Sequence, residues 1–64
     1  MPTYRIVWID AQGIARKSTQ VECLTDREAI GMAEQQIGDY AMIEVWDGFR
    51  PVGRIGNPDK GKKG

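Results

Sequence analysis

A single cysteine, Cys23, and the absence of histidine limit the means by which this chain of 64 residues can stay folded. A chain this short buries only about 60% of its unfolded surface, so it usually needs disulfides, a metal or oligomerisation. One cysteine cannot form an intrachain disulfide, and a structural zinc site takes four cysteine or histidine ligands. We therefore expect no metal and no other cofactor, and oligomerisation remains as the source of additional core.

The same composition disfavours catalysis. Without histidine there is no Ser-His-Asp or Cys-His arrangement and no ordinary general base for neutral pH. Cys23 is interpreted as a small buried residue at the end of a strand, because a reactive thiol needs a neighbouring base or cation. Two isolated carboxylates, Glu22 and Glu44, have little room for a substrate cleft between them in so small a domain. The sequence predicts that the protein is not an enzyme and has no catalytic residues.

The charges balance, with nine lysine and arginine residues against nine aspartate and glutamate residues. A neutral chain is not typical of a duplex-DNA-binding protein. The segment 57–64 holds three lysines and no apolar side chain, which predicts a disordered Lys/Gly tail after a single α+β domain over 1–56. No apolar run is long enough to cross a membrane, and no signal-peptide pattern is present. A lone cysteine is typical of the reducing cytoplasm, where we expect the protein to be located.

The first half of the chain predicts a β-hairpin. Residues 4–9 are β-branched and aromatic and predict a strand. The segment from Asp10 to Gly13 has turn composition, since glycine can adopt the left-handed conformation that closes a hairpin. A second strand follows over 14–23, and its polar middle is typical of an exposed edge strand protected by charge.

A helix is predicted over 26–37. Thr25 and Glu28 have capping-box spacing, in which each side chain accepts a hydrogen bond from the other residue's amide. Gly38 stands where a left-handed C-cap is expected. An apolar stripe is predicted on one side, with Met32 on the opposite side, and Gly31 is interpreted as a weak point rather than a close contact. The stripe consists of Ile30, Ala33 and Ile37, with Ala29 beside it.

The second half predicts another hairpin, with strands over 41–46 and 50–55 and a turn at Asp47-Gly48. Pro51 confines the last strand to a sheet edge, because proline donates no ladder hydrogen bond. The fold class is therefore α+β: a two-layer ββαββ domain whose four-stranded antiparallel sheet has the order 2-1-3-4, with one helix on one face.

Alternation along the strands places apolar side chains on both faces of the sheet, but one helix covers only one face. The shallow helical stripe favours the compact aliphatic residues as its partners, which leaves the bulky residues facing away from the helix. The reverse assignment stays open. Under either assignment an apolar face remains uncovered, and a second copy is the simplest cover, so we expect a homodimer. The predicted self-interface consists of Tyr4, Ile6, Trp8, Met42, Trp46 and Phe49.

These observations favour a non-enzymatic protein-interaction module that self-associates through its sheet. The alternative is a small single-stranded nucleic-acid-binding protein that stacks bases on an aromatic sheet face and contacts phosphates with cations. A regulator of another protein is a third interpretation. The cations of the nucleic-acid alternative are Arg5, Arg16, Lys17, Arg50 and Arg54.

The last hairpin also carries a resemblance, through Glu44-Val45-Trp46-Asp47-Gly48-Phe49-Arg50-Pro51-Val52-Gly53-Arg54-Ile55. It resembles the ending Glu-Leu-Trp-Asp-Gly-x-Arg-x-Val-x-Arg-Leu of a group of short uncharacterised alphaproteobacterial (rhizobial-type) proteins. The resemblance covers about residues 4–55. It implies a bacterial cytoplasmic protein with the same β-hairpin, helix, β-hairpin plan, and it brings no activity and no functional residues to this chain.

Overall fold

The computed structural model describes residues 1–57. The elements are β1 (Thr3–Ile9), β2 (Ala15–Glu22), α1 (Asp26–Gln35), β3 (Met42–Asp47) and β4 (Arg50–Gly56). All neighbouring strands are antiparallel, and their order is β2-β1-β3-β4. The predicted α+β class, ββαββ arrangement and strand order 2-1-3-4 are confirmed. The predicted disordered tail lies outside the described residues except for Asn57.

The register between β1 and β3 decides which side chains share a face. Ile6 pairs with Val45 and Trp8 pairs with Ile43, so the bulky face of β1 and the aliphatic face of β3 are the same face. This is the face that α1 covers. The core contains Tyr4, Ile6, Trp8, Cys23, Ala29, Ala33, Ile43 and Val45.

The expectation that Tyr4, Ile6 and Trp8 face away from the helix is wrong, because all three are at most 2% exposed in the core. The physical reason is complementarity of volume. The helix presents Ala29 and Ala33 to the sheet, and both are fully buried. Two small side chains leave space beneath the helix that only large sheet side chains can fill at native packing density.

Three larger apolar residues in α1 or just after it also pack against the core of the sheet. Ile30, Met32 and Ile37 are partly buried against the core, so the prediction that Met32 lies opposite the apolar stripe is wrong. A Cβ atom added to Gly53 would clash with the δ-methyl of Ile30. The absence of a side chain at Gly53 therefore lets the helix lie close to β4.

The helix begins as predicted at Thr25, whose hydroxyl accepts a hydrogen bond from the Glu28 amide at 3.1 Å. The reciprocal bond differs from the prediction. Glu28 Oε1 accepts from the amide of Leu24 at 2.7 Å, one residue before the cap. The Glu28 carboxylate thus ties the end of the preceding loop to the first turn of the helix.

The helix ends at Gln35, two residues before the predicted end. The amide of Gln36 donates to the carbonyl of Ala33, which tightens the last turn of the helix. The carbonyl of Gln36 accepts a hydrogen bond from Trp8 Nε1 at 2.8 Å. Gly38 has a φ of +60°, but in the turn that follows the helix. Asn57, predicted as part of the tail, donates from its side chain to the carbonyls of Gly38 and Tyr40 and closes this turn.

Replacing Gly31 with alanine should stabilise the protein by about 0.5–1 kcal/mol, because glycine in a helix interior is costly relative to alanine. The site has room, since a Cβ atom at Gly31 meets no neighbouring atom within 4 Å. Urea denaturation followed by circular dichroism measures the change. The matched variant Gly53→Ala should lose stability because its new methyl group displaces Ile30. A loss of stability in Gly31→Ala would contradict the interpretation of Gly31 as a weak point.

Candidate interaction surface

The sheet face opposite α1 has no layer over it among residues 1–57. The pairs Arg5–Trp46, Val7–Glu44 and Ile9–Met42 place the alternate residues of β1 and β3 on this face, and Arg54 of β4 lies opposite Glu44. We call this surface the open face. It consists of Arg5, Val7, Ile9, Met42, Glu44, Trp46 and Arg54.

Apolar and charged groups alternate on the open face. Its apolar members are half-buried among their neighbours, although no helix of the described segment 1–57 lies above them. They are Val7, Ile9, Met42 and Trp46. Such a mixture of apolar and charged groups that includes an aromatic side chain is typical of protein interfaces rather than of a domain core.

Glu44 organises the charges of the open face. Its Oε1 accepts a hydrogen bond from Trp46 Nε1 at 3.2 Å, and its Oε2 lies 3.4 Å from Arg54 Nε. The indole of Trp46 is therefore held in place by a hydrogen bond within its own strand. Holding an aromatic side chain in position before binding lowers the entropy that is lost on binding.

The six residues of the predicted self-interface separate into three groups. Tyr4, Ile6 and Trp8 are in the core and cannot contact a partner while the domain is folded. Met42 and Trp46 lie on the open face. Phe49 is 100% exposed at the turn between β3 and β4. Sequence reasoning missed Val7 and Ile9 as residues of the uncovered surface, because it paired them with the aliphatic residues of β3 beneath the helix.

Four of the five predicted nucleic-acid cations are engaged by other side chains of the domain. Arg16 binds Asp10 at 2.6 Å. Arg50 binds two carboxylates, those of Asp26 and Asp47. Arg54 binds Glu44. Lys17 Nζ lies 4.5 Å from the ring centroid of Trp8, a cation–π contact. Arg5 is the one cation of the five whose side chain has no such partner within residues 1–57.

A polar network closes the end of the sheet where α1 begins. The hydroxyl of Tyr4 donates to Asp26 Oδ1 at 2.7 Å, and Arg50 binds both oxygens of Asp26 at 3.0 and 3.1 Å. The bonds from Arg50 and Tyr4 lower the pKa of Asp26. The hydrogen bond to Asp26, together with burial and the charges of Asp26 and Asp47, raises the pKa of Tyr4 to about 12. This network joins β1, the helix N-terminus and the last hairpin.

The network predicts a loss of stability in alkali. The pKa of Tyr4 is raised from 10.0 to about 12 by folding, so its contribution is complete below pH 10 and is lost as the pH rises towards 12. Tyr4→Phe removes the titrating hydroxyl, so its free energy of unfolding should fall less between pH 10 and 12 than that of the unmodified protein. Urea denaturation at half-unit pH steps measures this difference. Parallel curves for the two proteins would contradict the assignment.

The only thiol is unsuited to nucleophilic chemistry. Cys23 is fully buried, and burial, with the nearby charge of Glu28, raises the pKa of its thiol. Because the thiolate is the reactive form, Cys23 behaves as a small apolar residue of the core at neutral pH. This agrees with its interpretation from the sequence.

An open cleft of about 540 Å³ lies at the other end of the sheet, lined by Asp10, Ala11, Arg16, Asp39, Tyr40 and Ala41. Asp10 is engaged there by Arg16 and by the amides of Gln12 and Ile14, and these bonds lower its pKa. Residues 1–57 contain no group of three or more acidic or cysteine side chains placed to hold a metal ion. Within the same residues, no helix is long and apolar enough to cross a membrane.

Comparisons of the chain with protein-family models, with curated proteins and with solved structures find no match in any of the three.

Proposed function

We propose that this protein is a non-catalytic interaction module that self-associates through the open face of its sheet. The observation that carries the proposal is the position of Trp46, a half-buried aromatic side chain fixed by Glu44 on a sheet face that no other layer of residues 1–57 covers. Two such faces packed together form a sheet-on-sheet core with about 10 Å between the sheets. The single thiol is compatible with the reducing cytoplasm, in which we propose that the module works.

The charges of the open face favour a second copy as its occupant. Each copy offers cations, Arg5 and Arg54, together with the anion Glu44. A face that carries both signs is complementary to itself when two copies are related by a two-fold axis, so Arg5 of one copy can meet Glu44 of the other.

The area of the face sets the expected strength of the dimer. Four strands about 4.8 Å apart and six to eight residues long give a flat projection of roughly 400 Å². A standard stable interface buries about 800 Å² on each partner, so the open face lies at the small end of the range. We therefore expect a dissociation constant in the micromolar range, on the order of 10–100 µM, rather than a nanomolar dimer.

Analytical ultracentrifugation of the full chain between 5 and 500 µM tests the proposal. We expect the mass to rise from 7.2 kDa towards twice that value. Trp46→Ala and Val7→Lys should weaken association at least tenfold, whereas Leu24→Ala, at a side chain 67% exposed away from the open face, should not. Thermal unfolding by circular dichroism checks that each variant folds. A strict monomer at 500 µM would refute self-association.

The nucleic-acid alternative has less support. Trp46 is the one aromatic residue on the open face, whereas proteins that bind single strands by stacking use several aromatic residues in succession. Three of the four arginines concerned are engaged in ion pairs. Fluorescence anisotropy of a labelled 12-nucleotide DNA strand decides between the two proposals. Binding that weakens with salt and is lost in Trp46→Ala would favour the alternative.

A further inference from the structure

The outer edge of β2 is a second surface that is open to pairing. β2 is the first strand of the sheet order, so no strand among residues 1–57 bonds to its outer side. All its side chains except Val21 are exposed, and the strand contains neither proline nor glycine. The opposite edge, β4, is interrupted by Pro51 and by an irregularity of register beside it. β2 is therefore the edge to which a further strand can add.

The charges of β2 are polarised along the strand. Arg16 and Lys17 stand at its beginning and Glu22 at its end. Arg16 uses Nε to bind Asp10, and its two terminal nitrogens make no hydrogen bond within residues 1–57. Charges on an edge strand repel most foreign strands. An antiparallel copy of β2 itself, however, brings the positive end of each strand against the negative end of the other.

Symmetry restricts the register of such a pair. Two identical antiparallel neighbours in one sheet are related by a two-fold axis perpendicular to the sheet, and residues directly opposite each other point to the same side. An axis through Thr19 places Arg16 opposite Glu22, Lys17 opposite Val21 and Ser18 opposite Gln20. With an axis through Ser18, no residue of the other copy's β2 stands opposite Glu22. With an axis through Gln20, only five residues of each strand are paired.

The axis through Thr19 is supported because Arg16 and Glu22, the two charged residues that it brings together, both lie on the open-face side of the sheet. Glu22 lies opposite Thr3, which alternates with the core residue Tyr4, so Glu22 is on the open-face side of the sheet. Arg16 also lines a shallow surface with Arg5 and Val7 of the open face. The irregularity of register between β1 and β2 falls on Arg16 itself, which has no partner in β1 and stands at the margin of the paired segment.

We propose that β2 pairs antiparallel with β2 of a second copy about a two-fold axis through Thr19, with Arg16 of each copy opposite Glu22 of the other. The product is an eight-stranded sheet with both helices on one side and both open faces on the other. This edge interface uses none of the apolar residues of the open face. If both interfaces form, two such sheets stack into a tetramer.

Disulfide trapping tests the edge interface directly. Thr19 faces its own counterpart across the axis, about 4.5–5.5 Å away between Cα atoms, within the range of a disulfide. Thr19→Cys should form a covalent dimer under mild oxidation. Ser18→Cys is the matched control, because its counterpart is displaced along the strand to about 7–8 Å. Equal trapping at both positions, or none at Thr19→Cys, would overturn the proposal. The unmodified protein controls for Cys23, which is fully buried.

A charge exchange tests the register independently. In the Thr19→Cys background, Glu22→Lys places like charges opposite each other and should reduce the rate of covalent dimer formation at least fivefold. The double change Arg16→Glu with Glu22→Lys restores opposite charges and should recover most of the rate. Circular dichroism checks that the variants fold, since Arg16→Glu also removes the bond to Asp10. A rate that is the same in both variants as in Thr19→Cys alone would contradict the pairing of Arg16 with Glu22.

The trapping experiment and the Trp46→Ala variant together distinguish a failure of the proposed edge interface from a failure of the proposed open-face interface. Trapping at Thr19→Cys that persists with Trp46→Ala supports the edge interface even if the open face does not associate. A dimer that depends on Trp46 but is not trapped at Thr19→Cys overturns the edge interface and leaves the proposed function intact.

Discussion

Replacing Trp8 with alanine should leave the protein largely unfolded at 25 °C. The indole of Trp8 is 2% exposed at the centre of the core, and substitutions of this kind cost about 3–5 kcal/mol. A domain of this size is stabilised by roughly 3–9 kcal/mol in total, at about 0.05–0.15 kcal/mol per residue. The change also leaves the carbonyl of Gln36 without its donor at the end of the helix. Urea denaturation followed by far-ultraviolet circular dichroism measures the effect.

The second tryptophan provides the matched control for this result. Trp46→Ala removes the same side chain from the open face, where it is only half-buried, and should leave the fold intact while it weakens association. Trp8→Phe keeps most of the core volume but loses the bond to Gln36, and should cost about 1–2 kcal/mol. Equal stability losses in Trp8→Ala and Trp46→Ala would contradict the assignment of the two tryptophans to opposite faces.

Replacing Ala33 with leucine should be the second most damaging change. Ala33 is fully buried where α1 lies on the large side chains of the sheet, so three additional carbon atoms have no space to enter. Overpacking of a filled core typically costs about 1–3 kcal/mol. Leucine and alanine are both good helix formers, so the loss would reflect packing rather than helix propensity. The midpoint of urea denaturation should fall accordingly.

Glu34→Leu is the control for overpacking, because it introduces the same side chain at the next, exposed position of the helix. Its stability should lie within about 0.5 kcal/mol of that of the unmodified protein. If Ala33→Leu were equally neutral, the helix would have to lie farther from the sheet than the burial of Ala29 and Ala33 indicates.

Most of the fold could be predicted because its signals are local. The Thr25 cap, the glycines of the two hairpin turns and the edge position required by Pro51 each depend on a few neighbouring residues. The end of the helix was predicted less well, since it depends on a distant partner. Trp8 donates to Gln36 across 28 residues of sequence, and no local pattern indicates that bond.

The candidate surface could be predicted only in part. Met42 and Trp46 were expected to face away from the helix and lie on the open face, and Phe49 is exposed at the turn between β3 and β4. Tyr4 and Trp8 were expected beside them but are buried. A better signal was available in the helix, because a stripe whose centre is alanine indicates that bulky residues fill the sheet face beneath it.

The sequence by itself determined that β1 has one bulky face and that β3 has one aliphatic face, because side chains alternate strictly along a strand. Only the tertiary structure decided that these two faces are the same face of the sheet. A shift of one residue in the pairing of β1 with β3 would reverse that relation, and alternation within each strand is identical before and after such a shift. The pairing of Ile6 with Val45 fixes the relation in this protein, and the packing of α1 on the combined face leaves Trp46 on the surface.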